Sequence, residues 1–247
     1  MFEYNIFETH LKSEIFGRHI KYFNSIHSTN SEAINYLSED SHGHVIITKN
    51  QTSGKGRRSD RWFSAPNKSL TFSIIINQKK IKNKNLLPII TAVAIIKAIK
   101  KISKIQCSIK WPNDIMLNNQ KIGGILIEKK NDYMIVGVGI NVNEEMDDLN
   151  TEIKNISTSL RINSAPLIQL EALLAYILNE LEKCCYEDKT NLIDEWLNLC
   201  YHIDKEIKFH ENHKLIKGIF KGINTNGQGI ISINNQTELI SSGMIQL

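Results

Sequence analysis

Apolar and polar residues alternate along this chain in two ways that together predict an α+β fold. Short apolar runs bounded by Gly, Asn, Pro or Ser indicate buried strands at 45–47, 70–76, 108–111, 115–117, 122–129 and 133–143. Apolar residues at three- and four-residue spacing predict helices that begin near Ser28 and at Pro88 and that cover 167–181 and 192–200. Strands joined by tight turns predict a mixed or antiparallel sheet with helices on one face.

The pattern changes after about residue 203. Shorter β-like runs at 206–209, 215–222, 229–233 and 237–240 are separated by Asn and Gly turns. These runs predict a small barrel-like module. We therefore expect a larger domain over residues 1–202 and a smaller β domain over residues 203–247.

Composition narrows the class of protein. With 247 residues, of which 41% are hydrophobic, the chain can bury a sizeable core. No run approaches the roughly 18 apolar residues of a membrane span, and the polar amino terminus is unlike a signal peptide, so we expect a cytoplasmic protein. The four cysteines lack the paired spacing of a zinc site and are expected to be reduced and structural. A net charge of +4 does not require a nucleic-acid partner.

The stretch from Gly54 to Trp62 concentrates positive charge and backbone freedom between two predicted strands. Its cations are Lys55, Arg57, Arg58 and Arg61. The glycines at 54 and 56 let the main chain approach a ligand closely. A solvated surface loop or a nucleic-acid patch has the same composition. The flanking strands favour a mobile lid that clamps an anion.

Three further segments combine polar groups with glycine. They are HSTN at 27–30, KWPNDI at 110–115 with KIGGILIE at 121–128, and GVGINVN at 137–143. Each has a structural alternative: a helix N-cap, a turn, a bulge, or a strand approached closely by another backbone. Their joint presence, in this order, is more informative than any one of them.

With these segments the sequence resembles the biotin protein ligases, also called biotin–[acetyl-CoA carboxylase] ligases, from about Tyr22 to the carboxyl end. The resemblance implies a mixed-sheet catalytic domain followed by an SH3-like barrel. It also implies ATP-dependent biotinylation of one lysine on a biotin carboxyl carrier domain, through biotinoyl-5′-AMP, with biotin and ATP as substrates and Mg²⁺ as cofactor. Adenylation suits this chemistry because a free carboxylate acylates poorly and AMP is a good leaving group.

The resemblance further implies roles for individual residues. The implied catalytic residues are Arg57 and Lys121, on the biotin carboxylate and acyl phosphate, and Asp114, as a Mg²⁺ ligand or as the base for the incoming lysine. The implied biotin-binding residues are Ser28, Thr29, Gln51, Gly54, Lys55, Arg57, Lys121, Gly123 and Gly124. The implied ATP-binding residues are Gly56, Arg57, Arg58, Trp62, Asn113, Lys121 and Asn141, with Asn143 beside the nucleotide.

Two features depart from the family pattern. The loop reads GKGRRSD where the family commonly has GRGRRGR, so Lys55, Ser59 and Asp60 reduce its charge and flexibility, and weaker retention of the adenylate is expected. Only about twenty residues precede the match, which is short for a helix-turn-helix domain. We therefore expect a form without the amino-terminal DNA-binding domain and without specific DNA binding. A homodimer along an exposed sheet edge is left open.

Two other functions compete with this interpretation. A lipoate or octanoate ligase shares the adenylation chemistry but is expected to carry an RRxSGGG-type segment, which this chain lacks where it has GKGRRSDRW. A non-enzymatic module that binds nucleic acid or a carrier protein would leave Lys121, Asp114 and the paired glycines without a role, and it would be expected to show clustered aromatic residues for base stacking.

Overall fold

A computed structural model of the chain describes residues 2–211, 214–234, 236–241, 243 and 245. The helices are α1 (Tyr4–His10), α2 (Thr29–Ala33), α3 (Leu87–Ser103), α4 (Leu170–Tyr186) and α5 (Lys189–Leu199). The first nine strands are β1 (Ile20–Phe23), β2 (Val45–Thr48), β3 (Gly54–Lys55), β4 (Arg61–Trp62), β5 (Ser69–Asn77), β6 (Ser108–Lys110), β7 (Asp114–Leu117), β8 (Gln120–Lys130) and β9 (Tyr133–Asn141). The last four are β10 (Glu206–Glu211), β11 (Lys214–Ile223), β12 (Gly229–Ile233) and β13 (Gln236–Ile240).

A mixed seven-stranded sheet forms the centre of the molecule, in the order β1-β2-β5-β9-β8-β7-β6. The β1–β2 pair is parallel, and the other neighbours are antiparallel. The two longest paired strands, β5 and β9, align from Ser69 opposite Asn141 to Asn77 opposite Tyr133. The mixed sheet predicted from the apolar runs is confirmed, and β5 and β9 lie near its middle.

The two faces of the sheet are covered differently because the side chains of β5 alternate between large apolar and small polar residues. Leu70, Phe72, Ile74 and Ile76 belong to the main apolar core, which also contains the buried faces of α3, α4 and α5. On the opposite face, Ile75 packs in a small cluster beneath α2. The three long helices therefore share one face, as predicted, and the short α2 lies on the other. The rest of that second face is left for polar groups.

The segment before β1, to which the sequence pattern assigned no element, is tied to α4. It contains α1, and the Glu182 carboxylate accepts hydrogen bonds from the backbone N–H groups of residues 14, 15 and 16 at 2.7, 2.8 and 2.7 Å. A carboxylate that accepts several backbone hydrogen bonds fixes a loop without regular structure. Within the described ranges, none of the helices combines the length and apolarity needed to cross a bilayer.

Strands β10 to β13 form a separate antiparallel sheet in sequence order. It packs on the larger part of the molecule through Trp111, whose indole Nε1 donates to the Gly227 carbonyl at 3.2 Å and whose ring lies 6.1 Å from that of Phe220. A small barrel is compatible with this meander, although no hydrogen-bonded pairing joins β10 to β13 in the described residues. The domain boundary at 202/203 stays a prediction, and residues 1, 212, 213, 235, 242, 244, 246 and 247 of the two expected domains lie outside the described part.

The core packing leads to a stability prediction for two leucines. Leu178 of α4 is fully buried, and its Cδ1 lies 2.6 Å from the position that a Cβ on Gly17 would take. Leu178→Ala should lower the free energy of unfolding by about 2–5 kcal/mol, because it removes buried apolar contacts and leaves a cavity. Urea denaturation measures this loss. Leu167→Ala is the control: that side chain is 77% exposed, and a comparable loss there would contradict the packing argument.

Candidate functional site

A cleft of about 920 Å³, its open mouth included, lies on the sheet face that carries α2. It brings together most of the residues that the sequence singled out. The predicted residues that line it are Ser28, Thr29, Gln51, Lys55, Gly56, Arg57, Arg58, Trp62, Asn113, Asp114, Lys121 and Gly124. They come from five separate stretches of the chain, which the central sheet, α2 and the β3–β4 hairpin bring together.

The predicted cationic lid folds as a short hairpin over the cleft. Strands β3 and β4 pair, a 3₁₀ turn at 57–59 connects them, and the Gly56 N–H donates to the Asp60 carbonyl at 2.7 Å. The indole of Trp62 lies over Gly139 of β9, where a Cβ would come within 2.3 Å of the ring. Only glycine at 139 permits this approach. The hairpin is thus seated on the sheet by its tryptophan.

One end of the cleft is neutral and rich in hydrogen-bonding groups. Gln51 Oε1 accepts from the Thr29 N–H at 2.7 Å and lies 3.1 Å from Thr29 Oγ1. Ser28 occupies the N-cap position of α2, but its side chain makes no capping hydrogen bond. The expectation that Ser28 serves simply as a helix cap is therefore not met. Its hydroxyl remains available to a ligand in the cleft.

The other end of the cleft is charged. Lys121 Nζ lies 2.5 Å from Asp114 Oδ1, and both side chains are partly exposed to the cleft. Arg57 Nη1 donates to Asn113 Oδ1 at 3.1 Å, and Asn113 Nδ2 donates to the Ile125 carbonyl at 2.9 Å. These contacts hold an ammonium group and a guanidinium group at one end of the same cavity.

Positive charge predominates around the cleft. Six cationic side chains line it, against the two carboxylates of Asp60 and Asp114. Burial lowers the pKa of Arg57, as does the neighbouring Arg58, whereas Asp114 raises it. Burial likewise lowers the pKa of Lys110, which Asp114 opposes. A guanidinium group remains charged despite such a shift, so the cleft suits an anionic ligand.

At the charged end of this cleft, one carboxylate is placed where it could contact a divalent cation. Asp114 is the acidic group beside Lys121, and the described residues contain no group of three His, Cys, Asp or Glu side chains arranged to hold a metal. Mg²⁺ commonly binds through one or two protein carboxylates together with waters and phosphate oxygens. The Asp114 carboxylate fits that mode of binding through a nucleotide, and it does not fit a cage built by protein ligands.

Four of the predicted site residues lie outside the cleft lining. A Cβ on Gly54 would come within 2.4 Å of the Trp62 carbonyl oxygen, so this glycine serves the hairpin itself. Gly123 faces the side chains of β7 and β9 in the core. Asn141 is buried and donates to the Thr158 carbonyl at 3.0 Å, and Asn143 similarly donates to the Ile168 carbonyl at 2.8 Å. These two asparagines hold the segment that follows β9.

The cleft also contains residues that the sequence argument did not select. Thr71 and Ser73 of β5 project onto the site face, opposite Gly139 and Gly137 of β9. Lys110 adds a cation beside Asp114. The alternation of Ser69, Thr71 and Ser73 with large apolar residues was the available signal, because hydroxyls at every second position mark the polar face of a buried strand.

Comparison with known proteins gives a family match. The family described as Biotin/lipoate A/B protein ligase matches residues 22–143. The bifunctional ligase/repressor BirA of Bacillus subtilis is 29% identical over 248 residues, covering 96% of this chain and 76% of that protein. The Bacillus spizizenii protein of the same name is 34% identical over 180 residues, or 70% of this chain. That match covers only 55% of the Bacillus spizizenii protein, just over half of its length.

The fold is shared with a solved structure. The biotin protein ligase from Aquifex aeolicus, in complex with biotin and ATP, matches with a TM-score of 0.83 and 25% sequence identity. The match covers 93% of this chain and 98% of that chain. Both the central sheet and the carboxyl-terminal sheet therefore have counterparts in a related architecture.

A buried carboxyl group lies beside the cleft, at the end of β9. Glu144 is 1% exposed and accepts a hydrogen bond from the Ser69 hydroxyl. Burial raises its pKa to about 7, and the hydrogen bond from Ser69 opposes this rise. Glu144 borders a second depression next to the hairpin, together with Arg61 and Trp62.

The raised pKa of Glu144 predicts a pH-dependent stability difference between wild type and Glu144→Gln. Because the folded-state pKa of about 7 lies above the ordinary value of 4.5, the protonated carboxyl stabilises the fold below pH 4.5, and this contribution is lost as the pH rises to 7. Relative to wild type, the glutamine variant should gain about 3 kcal/mol of unfolding free energy between these two pH values. Urea titrations at pH 5 and pH 8 measure the difference; a value independent of pH would contradict it.

Proposed function

Because residues 22–143 match the Biotin/lipoate A/B protein ligase family, we propose that this chain is an ATP-dependent biotin ligase that acts through biotinoyl-5′-AMP. The acceptor is one lysine of a biotin carboxyl carrier domain. The observation that carries the proposal is the cleft itself, which joins a neutral hydrogen-bonding end at Thr29 and Gln51 to a cationic end at Arg57 and Lys121. Biotin has this polarity, with a cyclic urea at one end and a carboxylate at the other.

The neutral end supports the choice of biotin over lipoate. A purely apolar ring would bind poorly at this end. It would cover the amide and hydroxyl groups of Gln51, Thr29 and Ser28, which would lose their hydrogen bonds to water without gaining others. A cyclic urea supplies both donors and an acceptor to them. A dithiolane ring or an alkyl chain supplies neither.

The charged end supports adenylate chemistry. In the first step a biotin carboxylate oxygen attacks the α-phosphorus of ATP and pyrophosphate leaves; in the second, a lysine amine attacks the acyl carbon and AMP leaves. Negative charge accumulates on the acyl-phosphate oxygens in both steps. Lys121, paired with Asp114, and Arg57, bonded to the adjacent Asn113, are the cations that would stabilise that charge.

Two roles remain open for Asp114. When bound, Mg²⁺ would neutralise phosphate charge and help pyrophosphate to leave, and Asp114 is the residue that would hold it through the nucleotide. Alternatively, the carboxylate would accept a proton from the incoming lysine amine. Its ion pair with Lys121 supports either role.

The predictions about partners and location depend on this proposal. The carrier domain of acetyl-CoA carboxylase as acceptor, the cytoplasmic location, the expected lack of specific DNA binding and a homodimer all stay predictions. The residue assignments for biotin and ATP are likewise part of the proposal. The cleft supports them for the residues that line it, and Gly54, Gly123 and Asn141 lack that support.

Lys121→Met tests the proposed activity directly. Purified wild type should release pyrophosphate from ATP when biotin is added, and should increase the mass of a carrier domain by one biotinoyl group. Lys121→Met should lower the rate of pyrophosphate release by about 100-fold or more, because the ammonium group on the acyl phosphate is lost. Lys79→Met removes an exposed ammonium group that pairs with Asp132 elsewhere, and should leave the rate unchanged. Pyrophosphate release that responds to lipoate or octanoate in place of biotin would refute the proposal.

Arg57→Gly tests the second half of the reaction. Loss of the guanidinium group should weaken retention of the adenylate, so that the reactive intermediate escapes and labels lysines on bystander proteins. The measurement is biotin incorporation into an unrelated protein, such as serum albumin, at equal pyrophosphate release. Bystander labelling no greater than that of wild type would count against a role for Arg57 in retention.

A further inference from the structure

A continuous chain of hydrogen bonds lies behind the neutral end of the cleft and begins at Glu128 of β8. Asn30 Nδ2 donates to Glu128 Oε2 at 2.7 Å and to the Leu126 carbonyl at 3.3 Å. Both partners are acceptors, so the orientation of the Asn30 amide is fixed: its nitrogen faces β8 and its oxygen faces β5. Asn30 is 3% exposed, so water cannot readily exchange for these partners.

The fixed amide dictates where the hydroxyl protons of the next two residues point. Ser73 Oγ lies 2.6 Å from Asn30 Oδ1 and 2.7 Å from Thr29 Oγ1. A serine hydroxyl has one proton, and Asn30 Oδ1 can only accept, so Ser73 donates to Asn30. The 2.7 Å contact between the two hydroxyl oxygens then needs the Thr29 proton, so Ser73 accepts from Thr29. This proton is directed away from the ligand, and also away from Gln51 Oε1, which lies 3.1 Å from Thr29 Oγ1.

The consequence appears at the surface of the cleft. Thr29 Oγ1 presents its lone pairs, and so acts as an acceptor. Gln51 Oε1 is already engaged by the Thr29 N–H at 2.7 Å, so the Gln51 amide nitrogen is left to donate. An acceptor beside a donor is complementary to the adjacent N–H and C=O groups of a cyclic urea.

We infer that Glu128, Asn30 and Ser73 are positioning residues that set the hydrogen-bond polarity of Thr29 and Gln51 and thereby select a ligand with a cyclic urea. The inference rests on the proposed biotin ligase function. The packing is consistent with it, because Ser73 is fully buried and lies opposite Gly137, where a Cβ would come within 2.2 Å of Asn30 Oδ1. Any side chain at 137 would displace the amide that transmits the polarity.

Three variants distinguish a change in the hydrogen-bond polarity of Thr29 and Gln51 from a simple loss of contacts with the ligand. Ser73→Ala removes the link between Asn30 and Thr29. Glu128→Lys replaces the terminal acceptor by a donor, which favours the reversed orientation of the Asn30 amide. Glu128→Gln keeps a carbonyl that can accept from Asn30 and is the conservative rescue. Ser41→Ala is the matched control, because Ser41 is fully buried and bonds to the Ser38 backbone, away from the cleft.

The measurement is the dissociation constant of each variant for biotin and for octanoate, which has an acyl chain but no cyclic urea, by isothermal titration. Ser73→Ala and Glu128→Lys should weaken biotin binding tenfold or more and change octanoate binding less than threefold, whereas Glu128→Gln and Ser41→Ala should change the ratio of the two constants less than threefold. Steady-state kinetics should show a raised KM for biotin, with kcat and the KM for ATP unchanged.

Three other outcomes would contradict the inference, and they differ in what they say about the proposed function. If wild type binds biotin and Ser73→Ala and Glu128→Lys keep its preference over octanoate, the inference is wrong and the proposed function stands. If wild type shows no preference for biotin over octanoate, the proposed function itself fails and the inference fails with it. A parallel loss of both ligands in Ser73→Ala would indicate a merely structural role and would also overturn the inference.

Discussion

The pairing of β5 with β9 is the constraint on which the rest of the structure depends. Because a strand alternates its side chains, β5 puts Phe72 and Ile74 into the main core, whereas Thr71 lines the cleft and Ser73 lies buried behind it on the same face. The two hydroxyl residues lie opposite glycines of β9. Small residues there leave room for α2 and for the hairpin at 54–62. A shift of one residue in the register would exchange the core and site faces.

The charged end of the cleft depends on contacts that position its cations. Two of its cations already have protein partners before any ligand binds: Lys121 pairs with Asp114, and Arg57 donates to Asn113. Such engagement holds long side chains near their working positions and reduces the entropy lost when a ligand binds. It also has a cost, because an incoming anion must compete with Asp114. The proposed chemistry thus uses cations that a single carboxylate and a single amide have already oriented.

The departures of the hairpin from the family pattern now have a structural context. Asp60 stands where a basic residue is common. Its backbone N–H donates to the Arg57 carbonyl, which closes the 3₁₀ turn, and its carbonyl accepts from the Gly56 N–H across the hairpin. Backbone groups make that turn, so the sequence change at 60 alters the charge of the hairpin more than its shape. Arg57 remains half-buried beneath it, whereas Lys55 and Arg58 are exposed. The expected effect on adenylate retention stays a prediction.

The sequence by itself determined most of the strands, the long helices and most members of the cleft, because apolar periodicity and clustered glycines are local signals that each segment carries alone. It also indicated the family, through Lys121, Asp114 and the basic loop. It did not indicate β1, β3 or β4. Only the tertiary structure decided that Gly123 and Asn141 lie outside the cleft lining and that Ser73 connects Thr29 to Asn30. These facts depend on which strands become neighbours and in which register, and no single segment encodes the distance between a serine on β5 and a carboxylate on β8.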